Sequence, residues 1–156
     1  MRLKNKIVFV TGVGKGIGLA IITKIVQEGG FVYGITRSKE DIKKIQFKNC
    51  KIFVGDVNNE KLINKIIKQS LTDGRIINCI VNNAGIRFRK SFTKINESDL
   101  RKVFDTNFFS IFKISQTFLK FWKKKKIKGN IVNISSIVSD LGFSELSLYG
   151  ATKSAL

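Results

Sequence analysis

The chain has 156 residues, 43% hydrophobic and 26% charged, which excludes an intrinsically disordered polar chain and suits one folded domain with its own core. With no histidine and two cysteines, it has almost nothing from which a zinc or haem site could be built. Lysine and arginine number 29 against 11 acidic residues, a net charge of +18, but the cations are spread along the whole chain without interleaved aromatics, so a solvated basic surface is expected and no nucleic-acid partner.

Met1–Lys6 runs straight into a β-type segment, without the apolar stretch and small-residue cleavage site of a signal peptide, so the expected location is cytoplasmic. Lys6–Thr11 reads as a buried strand and Ile17–Glu28 as a helix stopped by Gly29-Gly30. Phe31–Thr36 is a second strand, followed by a short helical stretch over Glu40–Gln46. Lys51–Val54 is a third strand, with Cys50 beside it, and Asn59–Leu71 an amphipathic helix. Ile76–Val81 is a fourth strand holding Cys79; both cysteines read as buried thiols. Glu97–Lys126 is a long helical region, expected to break into two helices near Asp105-Thr106 and closed by Lys123–Lys126, where cations complement the carbonyl end of the helix. Gly129–Ile134 is a fifth strand, and Ser147–Leu156 begins another helix. No apolar run approaches the roughly 18 residues of a membrane span, so no membrane partner is expected.

Strands alternating with helices imply βαβ units and a parallel sheet covered on both faces. Right-handed crossovers, with a nucleotide loop after the first strand, favour a doubly wound α/β fold of Rossmann-like strand order 3-2-1-4-5. No linker or repeat divides residues 1–156, which read as one dinucleotide-binding domain.

The first strand ends in Thr11-Gly12-Val13-Gly14-Lys15-Gly16-Ile17-Gly18. This fails both G-x-G-x-x-G and the P-loop, and fits T-G-x-x-x-G-x-G between a strand and a helix. Glycines there let a pyrophosphate approach a helix N-terminus, so Gly12, Gly14, Lys15, Gly16, Ile17 and Gly18 are candidate cofactor contacts. An NAD site ordinarily has an acid at the end of the second strand. Here Thr36 and Arg37 stand there, no acid is expected at the ribose, and Arg37 with Lys15 could neutralise a 2′-phosphate, so NADP is the expected cofactor.

Tyr149 and Lys153 lie one helical turn apart, where an ammonium beside a phenol favours the phenolate and makes a proton shuttle of it. With Asp56-Val57 after the third strand, Asn82-Asn83-Ala84-Gly85 after the fourth, Asn107, and Ser136 thirteen residues before Tyr149, the chain resembles the short-chain dehydrogenases/reductases along its whole length. It is most similar to the simple single-domain members, above all the 3-oxoacyl-acyl-carrier-protein reductases. The resemblance implies carbonyl–alcohol interconversion, with Tyr149 as general acid and Ser136 bonding the same carbonyl oxygen. It makes Lys153 the residue that lowers the Tyr149 pKa and holds the nicotinamide ribose, close to Tyr149, and makes Asn107 the anchor of a water that reprotonates Lys153. It puts Asp56 and Val57 against the adenine, and Asn83, Ala84 and Gly85 along the cofactor cleft, with Asn82 bracing the fourth strand.

The same resemblance implies a small-molecule or carrier-bound carbonyl substrate and a homo-oligomer, a dimer or tetramer. Family members continue beyond this helix with two more strands and a substrate-closing loop, so the chain reads as C-terminally truncated, its sheet incomplete and the fragment alone inactive. Arg87, Phe88, Arg89 and Lys90 would edge the substrate mouth. Two other readings stay open: a non-catalytic NADP-binding scaffold or sensor, and a basic polyanion-binding protein on the same fold.

Overall fold

The structure is a computed structural model that describes residues 1–156, the side chain of Lys44 excepted. Five parallel strands, β1 (Ile7–Thr11), β2 (Phe31–Thr36), β3 (Cys50–Val54), β4 (Cys79–Asn82) and β5 (Asn130–Asn133), form one sheet in the order β3-β2-β1-β4-β5. The helices are α1 (Gly16–Gln27), α2 (Lys39–Lys44), α3 (Glu60–Thr72), α4 (Glu97–Phe104), α5 (Ser110–Lys125) and α6 (Ser147–Ser154).

The alternation of side chains along β1 divides the core in two. Val8 and Val10 join Ile22 and Ile25 of α1, whereas Phe9 joins Ile63 and Ile66 of α3 and Phe118 and Trp122 of α5. Phe9 stacks on Phe118 with ring centroids 5.3 Å apart. Full burial of each such side chain stabilises by roughly 1.5–3 kcal/mol. The strand order reverses between β1 and β4, and a doubly wound sheet opens its ligand crevice at the carboxyl ends of the strands at that point.

Two expectations are corrected, the bounds of the fourth strand and the burial of the cysteines. The fourth strand starts later and runs one residue further, over Cys79–Asn82. The Ile77 carbonyl is taken by the Trp122 indole N–H at 2.7 Å, while the Asn78 backbone still bonds to Ile7 and Asn130 and its side chain accepts the Ile7 N–H. The long helical region is divided at Asp105, as expected, into α4 and α5, without leaving helical geometry. Between α4 and α5 lies a π-turn, Asp105–Phe109, in which the Ser110 N–H reaches back to the Asp105 carbonyl. Cys50 and Cys79 are free and only partly buried, though desolvation pushes the Cys50 thiol up to about 12 and raises Cys79 too. Among the described residues, no helix is long and apolar enough to cross a membrane.

Candidate cofactor cleft and catalytic helix

The β1–α1 loop is built by packing before it is available for binding. Gly12 has φ +72° and lies so close to the turn after β4 that a side chain would meet Ala84 Cα at 2.9 Å. At Gly18 a Cβ would be 2.0 Å from the Gly12 carbonyl oxygen. From the other side, the Thr11 hydroxyl accepts the N–H groups of Asn83 and Ala84 at 3.0 and 2.9 Å. The Asn83 amide donates back to the carbonyls of Thr11 and Gly12. The tip of β1 and the segment after β4 are thereby locked at the crevice.

A cavity of about 580 Å³ opens there. Its walls include Gly12, Gly14, Lys15, Ile17 and Gly18 from the loop, Thr36 and Arg37 after β2, Asp56 and Val57 after β3, and Asn83, Ala84 and Gly85 after β4. Gly16, Tyr149 and Lys153 are not on that wall. Val57 is mainly a core residue, packed with Ile63 and Ile66, and Asp56 accepts the Asn58 N–H at 2.8 Å. Lys15, the N-cap of α1, makes no side-chain cap, so the first N–H groups of α1 are not capped by it. The uncapped N-terminus beside a cavity of ligand size fits a dinucleotide pyrophosphate.

The sequence offers no acid at the end of β2, but the fold brings Asp41 beside Thr36 on the cavity wall. Its carboxylate Oδ2 accepts the Thr36 hydroxyl at 2.6 Å, and a Cβ on Gly14 would lie 1.8 Å from that same oxygen. Ser38 and Thr106 also line the cavity and were missed. Ser38 had a signal in Ser38-x-x-Asp41, a helix-start pattern, and its Oγ accepts the Glu40 N–H.

The opposite end is assembled on α6. Lys153 is only 4% exposed, its Nζ donates to the Ile134 carbonyl at 2.7 Å, and burial lowers its pKa. Asn107, in the π-turn and fully buried, accepts the Ile86 N–H at 2.8 Å and donates to the Ile86 carbonyl and the Thr152 hydroxyl. A side chain on Gly85 would approach Asn107 Oδ1 at 3.3 Å and Lys153 Nζ at 3.7 Å, so these two groups meet behind the Asn-Ala-Gly segment. Ser136 caps a 3₁₀ turn, Ile137–Ser139, and Ser154 Oγ donates to the Ser139 carbonyl at 2.6 Å. Gly150 lets α6 press on that turn, since a Cβ would stand 3.0 Å from the Val138 carbonyl oxygen. Tyr149, half-buried, is next to this contact. Asn82 braces β4 to its neighbours, donating to Ser115 Oγ and Asn133 Oδ1. Arg89, expected to edge the substrate mouth, lines no described cavity and pairs with Glu145 at 2.8 Å.

The chain is 32% identical to an uncharacterised oxidoreductase of Saccharomyces cerevisiae over 97% of its length, and 30% identical to the 3-oxoacyl-[acyl-carrier-protein] reductase FabG of Vibrio cholerae over 100%. It spans 61% and 65% of the lengths of those two relatives. The solved structure of ElxO with NADP bound superposes with a TM-score of 0.86 at 33% identity, covering 97% of this chain and 63% of that one. The family described as short chain dehydrogenase matches residues 6–156, leaving only Met1–Asn5 outside the match, and the chain belongs to that family.

Proposed function

We propose that the protein is an NADP(H)-dependent oxidoreductase that interconverts a carbonyl and an alcohol, residues 1–156 forming its cofactor-binding and catalytic domain. The observation that carries this reading is Lys153, an ammonium drawn out of water on α6, one turn from Tyr149 and against the Gly85 end of the cleft. Burying a charge is costly, and here a single hydrogen bond, to the Ile134 carbonyl, offsets that cost. Arg37 and Lys15 at the cavity wall support the phosphorylated cofactor, as does the likeness to NADP-bound ElxO.

When bound, the nicotinamide ring supplies or takes up the hydride. Tyr149 gives its phenolic proton to the carbonyl oxygen, and the Ser136 hydroxyl donates to the same oxygen and opposes the charge that develops on it. Lys153, screened little by solvent, acts on Tyr149 at a low effective dielectric. Asn107 holds the Ile86 backbone and α6 in register around Lys153. The substrate class is a small-molecule or carrier-bound carbonyl, 3-oxoacyl thioesters among them.

The test is NADPH oxidation by the purified protein over a panel of carbonyl compounds that includes 3-oxoacyl thioesters, with Tyr149→Phe as the variant. Turnover is expected to fall about 10²–10⁴-fold while cofactor binding is kept. A Tyr149→Phe protein that retains more than a few per cent of turnover would sink the proton-donor assignment.

A further inference from the structure

Two helices of this chain begin with the same pattern, and they use its acid differently. At α4, Asn96-x-x-Asp99 forms a complete capping box: Asn96 Oδ1 accepts the Asp99 N–H at 2.9 Å and Asp99 Oδ2 accepts the Asn96 N–H at 3.2 Å. At α2, Ser38 is the N-cap and Asp41 holds the equivalent third position. The Ser38 N–H goes instead to Thr36 Oγ1 at 3.4 Å, and Asp41 reaches past its own cap to accept the Thr36 hydroxyl at 2.6 Å. It thereby gives up its usual partner and arrives in the cleft, against Gly14 and on the same wall as Lys15 and Arg37.

We propose that Asp41 is a cofactor-selecting residue: its carboxylate occupies the ribose end of the cleft, competes with a 2′-phosphate for the Thr36 hydroxyl, and so narrows the preference for the phosphorylated cofactor. The proposal rests on reading the cleft as a nicotinamide dinucleotide site. A phosphate monoester brings about −1.5 to −2 charge near neutral pH and only acceptor oxygens. It gains from Arg37 and Lys15 but is repelled by Asp41 and denied Thr36. A ribose 2′-hydroxyl can instead donate to the Asp41 carboxylate. The group therefore acts with opposite sign on the two cofactors. The two cations at this wall stand with two acids, Asp41 and Asp56, which makes a balanced seat rather than a purely phosphate-binding one.

The experiment is a fluorescence titration of NADPH and NADH into the purified protein, with 2′,5′-ADP and 5′-AMP as probes of the adenosine end alone. Asp41→Asn should tighten NADPH and 2′,5′-ADP by about tenfold or more and weaken NADH, since a charge-assisted bond is replaced by a neutral one. Asp41→Ser should move the ratio the same way. Glu40→Gln removes an equal charge from the same helical turn at an exposed position outside the cavity wall, and should leave the ratio unchanged. An Asp41→Asn ratio within twofold of wild type, or a Glu40→Gln shift as large as that of Asp41→Asn, would overturn the proposal while leaving the cofactor reading intact. A wild type that binds neither dinucleotide would overturn that reading and the proposal with it.

Discussion

In β1 and β2 every residue except the first of each strand is buried, whereas all 4 residues of β5 are exposed. Around β1 and β2 the cohesion comes from apolar contact, Phe9, Tyr33 and Ile35 among α3 and α5 side chains on one face and Val8 and Val10 against α1 on the other. Around β4, the π-turn and α6 it comes from buried polar groups: Asn82, Asn107, Thr152 and Lys153. Apolar burial is non-directional and grows with area, while hydrogen bonds fix particular atoms at particular angles. In the proposed function the glycine loop holds a cofactor and needs a firm platform, whereas groups that transfer protons need placement within fractions of an ångström. Each region uses the force suited to its task, so damage to one should show mainly as lost stability and damage to the other mainly as lost turnover.

The sharpest way to break that division is Lys153→Met. Turnover should fall about 10²–10⁴-fold, since the variant removes the charge acting on Tyr149. The Tm should stay level or rise, because a buried ammonium whose pKa is depressed opposes folding at neutral pH. A large drop in Tm would show that Lys153 is a structural strut. Phe9→Ala tests the other side: it deletes a fully buried ring from the stack on Phe118, and denaturant unfolding should show a loss of about 3–5 kcal/mol. A loss under about 1 kcal/mol would mean that the sheet half does not depend on its apolar packing.

The smallest effect is the pH response of a polar cluster within the apolar half. Hydrogen bonds from the Tyr33 hydroxyl, then from the Gln69 amide and Lys51, lower the Asp73 carboxyl to about 2. Its folded value lies below the unfolded one, so its contribution is present above pH ~4 and is lost as the pH falls toward 2. Acid unfolding curves of Asp73→Asn should be flatter than wild type in that window. Parallel curves would remove Asp73 from the account.

Much of the fold could be read from the amino acids because its signals are local. The β1, β2 and α1 bounds follow from unbroken apolar runs, helical spacing and the Gly29-Gly30 stop, and strand order follows from crossover handedness. The glycine loop was legible as spacing, and Asn83-Ala84-Gly85 through the family resemblance. What escaped was set by partners distant in sequence. The interruption at Asp105 was legible but its π form was not: Asn107 there binds Ile86 and Thr152, and a window around Asp105 contains neither. Asp41 looks like an ordinary cap acid, and only the competition of Thr36 for the Ser38 N–H releases it into the cleft. The late start of β4 depends on Trp122 of α5, 45 residues on, taking up the Ile77 carbonyl.

The π-turn has a consequence for how this chain could vary. An α-helix advances about 100° per residue, so the one extra residue taken up between Asp105 and Phe109 sets the azimuth of everything after it. Val103 faces the interior from α4, and Ile111, Ile114, Phe118 and Trp122 do so from α5. Deleting a single residue within the turn would let the two helices fuse into one regular rod, and would rotate Phe118 and Trp122 away from β1 and β4. Inserting one would do the reverse. The turn is thus an indexing joint: it gives Asn107 the extra backbone width to reach Ile86 and Thr152, and it ties loop-length drift near the catalytic helix to the seating of the opposite core.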